Sequence, residues 1–480
     1  MKRILIIAVL ALVIAGLGVT VLLLGKSDAA PVQERETAEY IINSAQDGDI
    51  SRIAIKNESG EYEILAPAQG GEGLFIPGLE DLKPDSFFLS VTRSRLSFLM
   101  SQGSIAGGED LAPFGLSEPR AVVKVSFADG GERTIFIGND APDGANTYTR
   151  ILGKEGVYLA ARRDLENCLL RSLDFVDKTI VEVQGNTVNP SGEGVPPEFE
   201  RIELGGAFRR DEPVRIVKTE GPPPDRSGIA YNPYQIVQPV HANVSIDKGL
   251  PNLEALFDLK AIRVVHFLTD PGELVRYGLA EPYSTATVLG TLGSGLGGFS
   301  LRASAPGEDG RIYLLREGVP LIYEVASDTV PWLELSFFDL MDKLVILPFI
   351  DNVARLEVYS PDISYTFTLS GEGDGLVVQA GGETIDTANF RTLYQTVLTA
   401  MYESYTRELP EAGSVPLLEI RYHYRDGKPV DKLSFYPAIA RRVLLSYNGR
   451  RPFYTYSAYV DKVLTDCAQV LAGKKVRSYI

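Results

Sequence analysis

Short apolar runs separated by glycine and proline recur along most of the chain, which is the pattern of strands joined by turns. Residues 52–57 and 61–65 read as one hairpin. Ala121–Phe127 and 133–137 read as a second, turned at Asp129-Gly130, and 147–152 with 156–160 as a third. The stretches 199–204, 214–219, Tyr234–Gln238, Ser284–Leu289, 299–303, 353–360, 365–370 and 376–379 have the same strand character. Near the end, 417–424 alternates, Asp426-Gly427 turns and 432–436 returns. Then 443–446 and 452–456 flank Asn448-Gly449, a strong hairpin signal. Helical periodicity is rarer. It is expected over 86–101, 251–257 and 387–405. Two further helices are expected from their caps. Asp164 would start one that places Leu165, Cys168, Leu169 and Leu173 on one face. Ser457 would start the other, with Val460, Val463, Leu464, Cys467 and Leu471 on one side and Gly473 at its end.

One run differs from all of these. Between Ile4 and Leu24 no residue is charged, and at 1.5 Å rise per residue a helix there spans ~31 Å, about the hydrocarbon thickness of a bilayer. Lys2 and Arg3 precede it, so the positive-inside rule keeps the N-terminus cytoplasmic and places the bulk of the chain outside the cytoplasm. A cleaved signal peptide is the rival. The run is longer than a signal core, and the small-residue pair Ala29-Ala30 is followed by Pro31, which hinders cleavage. A retained single-pass anchor in the cell membrane is the reading the residues favour.

The sequence also repeats itself. The stretch from Leu111 to Pro119, with Phe114-Gly115-Leu116, recurs from Leu274 to Pro282, with Tyr277-Gly278-Leu279. Downstream, 158–178 aligns without gaps on 323–343, so the two matches stand at offsets of 163 and 165 residues. Gly115 and Gly278 are expected where a side chain is forbidden, and Pro119 and Pro282 hold the preceding Glu118 and Glu281 extended to launch a strand. A degenerate third copy ends the chain. The expectation is an α+β fold: a transmembrane helix within residues 1–30, then three tandem modules of antiparallel sheet with packed helices. The modules fall near 31–180, 198–345 and 350–480, with a Gly/Pro-rich linker at 185–197 and a short joint near 347–351.

Phe114-Gly115-Leu116 to Pro119, its second copy Tyr277 to Pro282, and the Phe136-Ile137-Gly138 segment resemble the bacterial family catalogued as domain of unknown function 4340. The second copy has Leu301-Arg302-Ala303 in place of the Ile-Gly element, and the third lacks the Gly-Leu-x-x-Pro element. The resemblance implies a membrane-anchored protein that accompanies an ABC transporter of gliding-motility type, with the permease, the ATPase or another envelope protein as partner. It carries no catalytic residues over.

Composition narrows the chemistry. A net charge of −16 repels nucleic acid and anionic headgroups, so neither is an expected partner of the ectodomain. Cys168 and Cys467 are the only cysteines, which excludes a disulfide framework and leaves one bridge or two buried thiols. His241, His266 and His423 have no neighbours at metal-ligand spacing, and His266 falls in an apolar strand-like run as a structural residue. Gly293-x-Gly295-x-x-Gly298 matches a dinucleotide fingerprint as a string, but it lies between two strands with no helix to receive a pyrophosphate. Gly25-Lys26-Ser27 lacks the first glycine of a phosphate loop. Asp174/Asp177 with Lys178, and Asp339/Asp342 with Lys343, are expected to share a helix face in exposed ion pairs rather than to serve as a glycosidase pair. Tyr422, Tyr424, Tyr436, Tyr447, Tyr454, Tyr456 and Tyr459 form either a wet binding face or cross-strand pairs in a sheet. No catalytic, cofactor or metal residue is assigned. The leading expectation is a non-enzymatic, membrane-tethered scaffold, followed by a glycan or cell-wall binding module and then an envelope hydrolase.

Overall fold

The computed structural model describes residues 39–67, 73–105, 110–183, 198–219, 234–290 and 297–477. The anchor expected between Ile4 and Leu24, the linker at 185–197, and Gly293 and Gly295 lie outside the described residues. No helix among the described residues is long and apolar enough to cross a membrane. The chain is α+β, mostly antiparallel sheet with a few helices, and divides into two compact units, Met1–Asp177 and Lys178–Ile480.

In the first unit β1 (Ile50–Asn57), β2 (Gly60–Leu65), β3 (Ser101–Ile105), β4 (Ala121–Phe127), β5 (Glu132–Asp140), β6 (Asn146–Ile151) and β7 (Val157–Ala161) form one sheet in the order β2-β1-β4-β5-β6-β7-β3. Period-two patterning sets its faces. Ala121, Val123, Val125 and Phe127 of β4 point into the core, while Lys124 points out and pairs with Glu132 at 2.8 Å. Helix α1 (Ser86–Ser97) buries Leu89, Thr92 and Leu96, and the Asp85 side chain caps it by accepting from the Phe88 N–H at 2.9 Å. It stops short of the expected residue 101. The backbone at 99–101 is extended because Ile41 N–H donates to Leu99 O and Ser101 N–H to Glu39 O, both at 2.8 Å. Strand pairing captures those residues before the helix can.

The helix expected from Asp164 is not formed as one piece. A short helix, Arg162–Leu165, leads into tight turns at Glu166–Leu169 and Ser172–Phe175, and no side chain caps its start. The cause lies across the core. The Asn57 amide donates to the carbonyls of Cys168 (3.1 Å) and Leu170 (2.7 Å), and the Tyr62 hydroxyl donates to Leu170 (2.9 Å). A continuing helix would need those carbonyls. Leu165 and Cys168 are buried as expected, but Phe175 takes the deep position that Leu173 was expected to share.

The second unit holds two large sheets. The first comprises β9 (Arg201–Gly205), β10 (Val214–Lys218), β11 (Tyr234–Gln238), β12 (Ala242–Asn243), β14 (Arg263–Phe267), β15 (Ser284–Leu289), β16 (Gly298–Ala303), β17 (Arg311–Arg316) and β18 (Leu321–Ala326). Its order is β12-β11-β10-β9-β15-β16-β17-β18-β14, and a separate pair joins β8 (Thr179–Glu182) to β13 (Asp258–Lys260). The other sheet comprises β19 (Val353–Tyr359), β20 (Ser364–Ser370), β21 (Val377–Ala380), β22 (Glu383–Ile385), β23 (Leu418–Tyr424), β24 (Asp431–Pro437), β25 (Arg442–Tyr447) and β26 (Phe453–Tyr456). They run in the order β22-β21-β20-β19-β23-β24-β25-β26. Helices α2 (Thr387–Leu398) and α3 (Ser457–Leu471) pack on this sheet through Phe390, Leu393, Val463 and Cys467. Helix α2 ends seven residues before the expected 405, because Tyr402 N–H is drawn to Lys343 O at 2.8 Å. In α3 Ser457 is the first helical residue rather than the cap, and Val470 is buried where Leu471 was expected, leaving Leu471 exposed.

The three large sheets share one order. In each, a leading set of strands joins a four-stranded meander through its first strand: β1 to β4, β9 to β15, β19 to β23. The stretch between the leading strands and the meander covers the meander's far edge: β3 on β7, β14 on β18, and Ser404 bridged to Tyr454 of β26. In each, a lead-in segment also pairs just ahead of that edge. Ser101 N–H donates to Glu39 O, Ala261 N–H to Lys178 O, and Tyr402 N–H to Lys343 O, each at 2.8 Å.

The Gly-Leu-x-x-Pro turns occupy equivalent places in this order. Gly115 (φ 67°) and Gly278 (φ 66°) are left-handed, as their role requires. Phe114 packs edge-on to Tyr148 of β6 at 5.0 Å between ring centroids, and Tyr277 packs on Tyr313 of β17 at 5.1 Å. The same aromatic contact is thus built twice from aligned residues.

Candidate functional site

The structure disperses most of the residues the sequence singled out. Cys168 and Cys467 are free and buried, and burial pushes the Cys168 thiol up to about 12. Among the described residues no three His, Cys, Asp or Glu side chains lie together in a way that could hold a metal. His266 stacks on Tyr277 (5.7 Å) and lies 3.1 Å from Glu273, tying β14 to the second Gly-Leu-x-x-Pro turn.

The carboxylate pairs do not share helix faces. Asp174 binds Arg171 at 2.7 Å and Asp177 pairs with Lys83. Asp339 accepts from the Ser336 N–H at 2.9 Å, and Asp342 from the Leu344 N–H at 3.0 Å. Only short turns occur at these positions, so helical spacing did not apply. Lys343 is half-buried, with its ammonium 3.1 Å from the centroid of the Phe338 ring, and burial lowers its pKa to about 8. That depression means the charged lysine opposes folding most below pH 8, and the penalty fades as pH rises toward the ordinary lysine range. Lys343→Met is therefore expected to stabilise the protein at pH 7 by about 1 kcal/mol, allowing for residual exposure. In urea titrations the gain should shrink between pH 8 and 10; a gain that grows would contradict this origin.

His423 belongs to a cluster on the outer face of the last sheet. Its Nε2 lies 2.8 Å from Glu357, and Arg355 reaches the other oxygen of Glu357 at 3.0 Å. Burial alone would raise the Glu357 pKa. Hydrogen bonds from His423 and Tyr359, with the nearby His423 and Arg355 charges, outweigh it and hold the carboxyl below the usual range. The stabilisation is present above the normal glutamate pKa and lost as pH falls through the folded value. Glu357→Gln should cost about 1–2 kcal/mol at pH 7, with the difference from the parent closing as pH falls below the ordinary glutamate range. Thermal melts across that range check the sign, and a deficit that persists in acid would contradict it.

The tyrosines of the last module do not share one face. Tyr422 is fully buried, and the Tyr459 hydroxyl donates to Val397 O at 2.7 Å. Tyr424 and Tyr447 both donate to Asp431 at 2.6 Å, and Asn448 adds a third bond to it at 2.8 Å. Asp431 thereby anchors two tyrosines that line a cleft of about 240 Å³ at the joint of the second unit's two sheets.

The cleft is polar. Gln235 of β11, His241, Asn243 of β12 and Asp342 line one side, and Tyr402, Tyr424, Tyr447 and Arg450 the other. The Gln235 and Asn243 amides bond each other at 3.4 Å. The Arg450 guanidinium lies 5.3 Å from the Tyr447 ring centroid and makes no ion pair among the described residues. Sequence reasoning named His241, Asp342, Tyr424 and Tyr447 separately but missed Gln235, Asn243 and Arg450. No local signal joins residues that the sheet order alone brings together.

The joint itself is held by Phe337, Phe338, Tyr402, Tyr405 and Phe453, with Tyr402 and Phe453 centroids 4.5 Å apart. Beside them Glu212 accepts from the Tyr405 hydroxyl and faces Arg407 and Arg451, each at 3.6 Å.

Fold and cleft define an α+β protein of repeated antiparallel sheets with a polar groove. A family model, the domain of unknown function DUF4340, matches residues 76–198 and 251–414, more than half of the chain, so the chain belongs to that family. Each matched stretch includes a far-edge strand, a Gly-Leu-x-x-Pro turn and the meander that follows it. A search of curated proteins and of solved structures finds no match.

Proposed function

We propose that this DUF4340 protein is a non-enzymatic, membrane-tethered scaffold on the extracytoplasmic side, built of three tandem modules near 31–180, 198–345 and 350–480. The observation that carries the reading is the shared strand order of the three large sheets, each with its own lead-in segment and far-edge cover. Arrays of one repeated unit serve widely as extended binding surfaces. The uncharged run from Ile4 to Leu24 supplies the tether, with the N-terminus cytoplasmic. Engagement of Asp174, Asp177 and Asp339 in turns and ion pairs argues for structural rather than hydrolytic carboxylates. By family resemblance the partner is an ABC transporter permease and ATPase of gliding-motility type, or another envelope protein.

Affinity purification of the full chain from membranes in mild detergent tests this. An integral membrane partner recovered in fixed proportion is the expected result. A chain that elutes alone after crosslinking in intact cells would overturn it.

A further inference from the structure

The cleft at the joint of the second unit's two sheets holds chemistry that a pure scaffold does not need. We propose that it binds a single pyranose residue of a carbohydrate. A sugar hydroxyl both donates and accepts, so it is matched by amides and carboxylates rather than by a field of one sign. The cleft offers the Gln235 and Asn243 amides, the Asp342 carboxylate and the Arg450 guanidinium from four separate stretches of chain. One carboxylate and one guanidinium leave it near neutrality, and Asp342 opposes a phosphate or sulfate.

The aromatic wall favours the same ligand. Tyr447 and Tyr424 are anchored by Asp431 at 2.6 Å before anything binds, with Arg450 and Lys428 5.3 and 5.9 Å from their ring centroids. An apolar sugar face packs on such a ring while its hydroxyls meet polar neighbours. One Asp342 oxygen already accepts from the Leu344 N–H, which orients the carboxylate, and the other makes no hydrogen bond or ion pair among the described residues. Size sets the rest. At about 240 Å³ the cleft falls below the ~300–1,000 Å³ of pockets that enclose drug-sized molecules, so it holds one ring and leaves a longer chain outside.

The test uses the full chain in a detergent without a sugar headgroup. The probes are a β-1,4-linked N-acetylglucosamine tetramer, an α-1,4-linked glucose tetramer and inorganic phosphate, observed by saturation-transfer NMR and titration calorimetry. At least one tetramer should bind, and Asp342→Asn and Arg450→Ala should each weaken it ten-fold or more. Arg450 is exposed, so its variant keeps the fold and decides the matter if Asp342→Asn does not. Binding of neither sugar, sugar binding untouched by Arg450→Ala, or binding of phosphate alone overturns the proposal. The measurement needs no protein partner, so its failure is separate from failure of the scaffold reading.

Discussion

Arg209→Ala is expected to destabilise the second unit by about 3–5 kcal/mol, among the largest effects a single side chain can have. Arg209 is only 4% exposed and makes no ion pair among the described residues. Its Nε donates to Leu335 O at 2.7 Å, one terminal nitrogen to the Ser284 hydroxyl at 2.7 Å, and the other to Trp332 O. Burial lowers its pKa to about 10, yet at neutral pH it is still a cation, held by main-chain carbonyls with the Asp339 and Glu334 charges nearby. Truncation relieves that desolvation but strands two carbonyls and a hydroxyl in the interior, at about 1–3 kcal/mol each. Arg209→Lys should recover only part of the loss, because an ammonium cannot span acceptors arranged for a planar fork. Trp332, the only tryptophan, is fully buried and carries one of these carbonyls, so its fluorescence reports the unfolding directly. A urea midpoint within about 0.5 kcal/mol of the parent would refute this account of the site.

The second large effect separates the two Gly-Leu-x-x-Pro turns. A Cβ at Gly138 of β5 would lie 2.2 Å from Phe114 O and 3.0 Å from the Leu116 side chain. The Gly-Leu-x-x-Pro turn is backed directly onto that strand, and the main chain on both sides leaves no room to yield. Gly138→Ala should therefore cost at least about 2 kcal/mol and pull the turn away. By strand register the second sheet carries Ser304 where the first has Gly138, while buried Ala303 pairs with Ser284 as Ile137 pairs with Ala121, so Ala303→Gly removes one core methyl away from the turn and should cost only about 1 kcal/mol. Hydrogen exchange read on peptides covering 111–119 and 274–282 distinguishes the two. Faster exchange in the first peptide for Gly138→Ala, with little change in the second for Ala303→Gly, is expected. Equal effects would mean that the turns do not dock as described.

These contrasts mark how far the sequence could be read. Strands with alternating patterning, such as Ala121–Phe127, and the turn glycines Gly115 and Gly278 were legible because local geometry dictates them. Helix ends were not. At Ser97 and Leu398 the following backbone is captured by a lead-in segment, and after Leu165 it is captured by Asn57 and Tyr62, all tertiary events without a local mark. Arg209 was invisible for another reason: a charged residue in a turn reads as surface until its carbonyl partners are placed around it. The cleft was legible only in fragments, because its lining comes from around residues 235–243, 341–348 and 402–450.

The central claim is that the sheets stand outside the cytoplasm on a membrane tether, and protease shaving tests it most directly. Intact and osmotically opened cells carrying a C-terminally tagged chain would be treated with protease and separated into membrane and soluble fractions. The account predicts a tag that sediments with membranes and is degraded once the outer permeability barrier is opened, while a cytoplasmic marker survives. A tag recovered in the soluble fraction, or one cut only when the cytoplasmic marker is also cut, would contradict it.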